Sequence, residues 1–151
     1  MITRRAASLA MIAFPAMAAS PAGTVNLQDG PAVAGHDVVA YFTAGRATPG
    51  RADLTAEHEG ATYRFSSEAN RDAFIAAPSR YLPQYGGYCA FGLARGYKAV
   101  IDPKAFTIVD GRLYLNYSPA IQAKWRAQQS ADINLANTNW PKVITNPDVA
   151  K

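Results

Sequence analysis

Sulfur is nearly missing from this chain. Its 151 residues hold one cysteine, Cys89, so no internal disulfide is available. The three methionines, Met1, Met11 and Met17, all stand near the N-terminus, so everything after them lacks a thioether and methionine-rich copper binding is excluded. No apolar run approaches the roughly 18 residues that span a bilayer. C-x-x-C, H-E-x-x-H, G-x-S-x-G and a phosphate-binding glycine loop with its lysine are all missing. A cysteine nucleophile paired with His36 or His58 as base has no third residue to orient it. An enzyme is therefore the lesser reading.

The N-terminus differs in kind from the rest. MITRRAASLAMIAFPAMAAS has Arg4-Arg5, an apolar run from Ala6 to Phe14, and a small-residue site at Ala16-Met17-Ala18. That order is the pattern of a bacterial export signal, cut after Ala18, and the paired arginines resemble the twin-arginine type. The expected location is the periplasm. Loss of Arg4 and Arg5 leaves 13 basic against 11 acidic residues, a balance that gives no case for nucleic-acid binding. In an oxidising compartment an unpaired cysteine is either buried and inert or left over for chemistry.

Residues 19–34 read as a flexible segment, 35–142 as one folded domain and 143–151 as a tail. LTAEHEGATYRF predicts a hairpin turning at Glu59-Gly60, and a second turns at Asp110-Gly111 with Phe106 and Ile108 inward and Leu113, Leu115 and Tyr117 returning. Ser66 or Ser67 caps a helix that buries Phe74 and Ile75 and stops at Pro78. A short helix is expected from Gly87 to about Ala94. Ser118-Pro119 opens another, with Ile121 and Trp125 one turn apart, and Ile133, Leu135 and Trp140 pack back as a final helix. No internal repeat is read. The fold class is α+β: a small antiparallel sheet of two hairpins packed with several short helices, in a single domain.

The chemistry centres on QYGGYCAFGLARG. A helix starting at Gly86-Gly87 places Cys89 in its first turn, where unpaired amide hydrogens favour thiolate; Tyr88, Phe91 and Leu93 oppose this by supplying apolar surroundings. Cys89, His58 and His36 are the only soft or borderline ligands after the signal, a set chemically suited to copper or zinc but without motif spacing.

The segments GHDVVAYF, EGATYRFSSEANRDAF, PSRYLPQYGGYCA and DPKAFTIVDGRLYLNYS resemble the exported YHS domain-containing (seleno)protein family from about Gly35 to Trp140. The wider YHS group carries metal-binding cysteines at positions that match Ala40, Ser66 and Asn70 here. Those residues are replaced, so that sulfur chemistry does not carry over, and Ser66 and Asn70 read as capping residues. The narrower family keeps the cysteine matching Cys89, and some members are selenoproteins, which implies a reactive chalcogen. It usually has Tyr where His36 stands. The resemblance implies a periplasmic accessory protein using Cys89 as ligand to a soft metal such as copper, or as a redox-sensitive thiol. His58 and His36 are then candidate further ligands, and Tyr85, Gly86, Gly87, Tyr88 and Arg95 shape the pocket. The alternative is a cofactor-free interaction or structural module whose aromatics dock a protein partner.

Overall fold

The structure is a computed structural model that describes residues 22–151; the expected export signal lies outside the described residues. A left-handed turn at Ala32–Gly35 leads into α1 (Ala40–Thr43). A hairpin follows, β1 (Arg51–His58) and β2 (Ala61–Phe65), and then α2 (Glu68–Ala76). Next come a second left-handed turn at Gln84–Gly87, α3 (Ala90–Ala94) and the two-residue β3 (Lys98–Ala99). A second hairpin, β4 (Asp102–Val109) and β5 (Arg112–Asn116), precedes α4 (Pro119–Ala127), α5 (Gln129–Val143) and β6 (Val149–Ala150).

The α+β class is as expected, and both hairpins turn where the sequence places them. Glu59-Gly60 and Asp110-Gly111 have positive φ at both positions, the geometry whose twist matches paired strands. The hairpins form two separate two-stranded sheets instead of one joint sheet. Ser67 and Ser118 cap α2 and α4, accepting the N–H of Asn70 and Ile121 respectively.

These matched details belong to a duplication that the letters do not announce. Each residue of the second hairpin and helix stands 51 positions after its counterpart in the first. Arg51↔Phe65, then Thr55↔Arg64 across a bulge, repeats as Asp102↔Asn116, then Phe106↔Leu115. Tyr63 lies tilted on Phe74 with ring centroids 4.9 Å apart, and Tyr114 lies on Trp125 at 5.3 Å. The left-handed turns match as well: each follows an extended proline, Pro31 or Pro83, and Val33 and Ala34 have positive φ as Tyr85 and Gly86 do. The domain is thus two copies of a turn–helix–hairpin–helix unit.

The buried residues form two cores, the first drawing on both copies. Tyr41, Phe65, Phe74, Leu113 and Leu115 belong to one cluster, Tyr85, Leu93, Tyr114 and Trp125 to the other. Strand β5 is the seam, buried on both faces. Three apolar residues expected inside are exposed. Ile75 sits a helical step off the Phe74 face, and Leu135 lies off the Ile133–Ala136–Trp140 stripe. Ile108, one pair from the turn of an isolated hairpin, is exposed too. Residues 22–34 and 143–151 carry more structure than the sequence suggests. Asn26, Ala32 and Val33 are buried where a flexible segment was expected. Tyr88 Oη and Lys98 Nζ both donate to the Gly23 carbonyl, at 2.9 and 3.0 Å. The tail contributes β6, which pairs in parallel with β3.

Candidate functional site

Cys89 does not sit inside a helix. The left-handed turn at Tyr85–Gly86 delays the helix, so Cys89 is the residue preceding α3, with non-helical backbone (φ -59, ψ 118). Its own N–H donates to Ala99 O at 3.1 Å, which ties it to β3. The side chain is 1 % exposed. Sγ accepts the Tyr117 N–H at 3.3 Å and donates its proton to Asn116 Oδ1 at 3.5 Å. Burial pushes the thiol pKa up. Against that, the N–H groups of Gly92, Tyr117 and Phe91, and then the charge of Arg95, favour thiolate. The bond to Asn116 Oδ1 exists only while the sulfur keeps its proton, and it too holds the resting group neutral.

Cys89 lines a pocket of about 210 Å³. Its walls are Phe91, Ala99 and Ile121, the half-exposed Tyr97 and Tyr117 stand in its lining, and Ala150 and Lys151 close one side. None of the five residues expected to shape the pocket lines it. Tyr85 turns away to bond Asn137, Tyr88 bonds the N-terminal segment, and Gly86 and Gly87 lie in the left-handed turn. Arg95 pairs with the buried Asp132 at 3.2 Å and lies over the Phe91 ring.

The histidines stand elsewhere. His36 Nδ1 is 3.2 Å from Ala34 O, and its backbone bridges to Pro49. His58 ends β1, edge-on to Phe74 and 3.9 Å from Glu59, in a different pocket of about 300 Å³ walled by Leu82, Pro83 and Trp140. Among the described residues no group of three or more His, Cys, Asp or Glu gathers as metal ligands. The residues at Cys89 offer a metal one sulfur, already bonded on two sides, and so do not fit a resident soft metal.

Asp37 is the residue sequence reasoning passed over. It is fully buried, and its carboxylate takes five donors. Oδ1 accepts the N–H of Val39 (2.9 Å) and Ala40 (3.1 Å). Oδ2 accepts Ser66 N–H (2.8 Å), Ser66 Oγ (2.6 Å) and Asn70 Nδ2 (2.8 Å). Ala40, Ser66 and Asn70 therefore converge on one carboxylate.

The duplication makes Asp37 and Cys89 counterparts. Each follows its left-handed turn, and each donates its own N–H to a matching carbonyl, Thr48 O or Ala99 O. The N–H that follows the hairpin bonds the side chain in both copies, and the N–H groups two and three residues on bond the Asp37 carboxylate in the first copy and favour the Cys89 thiolate in the second. The differences are local. Ser66 and Asn70 are replaced by Tyr117 and Ile121, both of which line the pocket, and Phe65 is replaced by the buried Asn116. Asn116 Oδ1 takes the Phe91 N–H at 3.1 Å, while Nδ2 has no partner among the described residues. A buried amide donor left unpaired costs about 1–3 kcal/mol, so Asn116 is a poor choice for packing alone. No family model, curated protein or solved structure matches the chain.

Proposed function

We propose that this chain is an exported, periplasmic accessory protein of the YHS type whose chemistry resides in Cys89, a shielded, redox-sensitive thiol. The observation that carries the reading is the sulfur's position: it accepts the Tyr117 N–H at 3.3 Å, in a cradle where the Gly92 and Phe91 N–H groups also favour its charge, and Cys89 lines a pocket of about 210 Å³. The cradle stabilises negative charge once it forms, while burial keeps the resting thiol protonated. A small uncharged reagent reaches such a group far better than a bulky anion does. The copper version of the reading needs a second soft donor, which these residues do not supply.

Alkylation tests this. Methyl methanethiosulfonate, small and neutral, is expected to label native Cys89 at least tenfold faster, relative to the unfolded chain, than the anionic disulfide DTNB does. The rate should stay low through neutrality and climb only above about pH 8.5, the ordinary thiol range. The sign for stability follows. Below that range folded and unfolded chains both hold the proton; above it the unfolded thiol loses its proton first, and stability falls as pH rises through the folded value. Cys89→Ala should lack that component of the alkaline decline. A native thiol inert to both reagents sinks the reading. Copper that copurifies with the wild type and is lost in Cys89→Ala favours the metal version.

The half-exposed Tyr97 and Tyr117 favour a second reading, a cofactor-free module that docks a partner's apolar side chain. On that reading Cys89→Ala has no consequence for the organism, and substitution of Tyr97 does.

A further inference from the structure

The first copy of the cradle holds a carboxylate, two oxygens shared among five donors. The second holds a single sulfur atom beside an unpartnered, fully buried Asn116 amide and an adjoining pocket. A cysteine sulfinate has the charge of a carboxylate and places two oxygens on its sulfur, with room for them in that pocket. We propose that Cys89 is a site of modification by peroxide, and that the cradle retains it as the sulfinate, the second copy's equivalent of the Asp37 carboxylate. The proposal rests on the redox-thiol reading above and names its product.

The chemistry balances in two steps. Sγ attacks one peroxide oxygen, the O–O bond breaks, an S–O bond forms, and water leaves with the thiol proton. That gives the sulfenic acid. A second peroxide repeats the two-electron step, giving the sulfinic acid and a second water; its proton goes to solvent. Sulfur is oxidised and peroxide reduced at each step. The chain has no other cysteine to divert the sulfenic acid into an internal disulfide. The Tyr117 N–H, which already bonds Sγ, faces the oxygens so formed, the Gly92 N–H favours their charge, and a half-turn of the Asn116 amide would offer them Nδ2 in place of Oδ1, the atom that now accepts the thiol proton.

Two arms test this, and only one needs a reactive thiol. Hydrogen peroxide should add two oxygen atoms at Cys89, read by intact mass and peptide mapping, with the fold retained. Independently, Cys89→Asp should fold and melt within about 5 °C of wild type, because the cradle accepts a carboxylate. An uncradled carboxylate at so buried a position lowers the melting point by roughly 10 °C or more. Such a loss in Cys89→Asp overturns the proposal. Oxidation that halts at the sulfenic acid, or proceeds to the sulfonic acid with loss of the fold, overturns it as well. In either case labelling by methyl methanethiosulfonate still reports separately on the thiol reading.

Discussion

Asp37→Ala should cost this domain a large part of its stability while leaving most molecules folded in the absence of denaturant. The substitution strips acceptors from three backbone N–H groups, a hydroxyl and a side-chain amide, all at or near the core. Each buried donor left without a partner costs about 1–3 kcal/mol, and the sum is tempered because some of them reach water once the site loosens. A loss of about 4 kcal/mol is expected, against a total stability of about 5–15 kcal/mol for a domain of this kind. Asp37→Asn is the sharper test. It keeps the volume and one oxygen, yet presents an amide donor to Ser66 N–H, Ser66 Oγ and Asn70 Nδ2. Urea unfolding should place it well below wild type as well. An Asp37→Asn variant within about 0.5 kcal/mol of wild type, the range of ordinary surface changes, would show that the network adds little.

The same residue marks how far the sequence could be read. Glu59-Gly60, Asp110-Gly111, Ser67 and Ser118 act through neighbours at most three residues away, so their roles are legible as letters. Asp37 acts through Ser66 and Asn70, which the chain brings back only after a complete hairpin, and no local pattern signals that. The duplication is hidden for a related reason. What the two copies share is backbone geometry, a bulge, a cap and a turn, and these tolerate wide changes of side chain; Val33 and Tyr85 occupy the same left-handed position. Cys89 was legible as the one sulfur worth weighing. Its surroundings were not, because the residues that line its pocket come from α3, β3, the end of β5, α4 and β6. The glycines before it suggested a pocket wall, but they serve the turn that sets where α3 begins.

Gly86→Ala tests that turn, and its effect should rival the loss of Asp37. Gly86 has φ +62, and a Cβ there would stand 2.0 Å from the Thr24 carbonyl oxygen. That oxygen belongs to backbone and cannot rotate aside. The segment it belongs to is fixed by Asn26 N–H donating to Gly86 O at 2.8 Å, and by Tyr88 and Lys98 on Gly23 O. The positive φ alone does not set the cost, since Ala34 holds the matching place in the first copy at φ 49. The close approach does. Relief requires the N-terminal segment to lift, which exposes Asn26 and breaks its bonds to both Gly86 O and Gly87 O. A destabilisation of about 3 kcal/mol or more is expected, with amide exchange at Asn26 accelerated ahead of exchange in the β4–β5 hairpin. Ala34→Gly, at the matching turn, should change stability by no more than about 1 kcal/mol, because easing a left-handed alanine offsets the extra freedom gained by the unfolded chain. Equal, small effects at both positions would mean that the N-terminal segment is not held against the turn in solution.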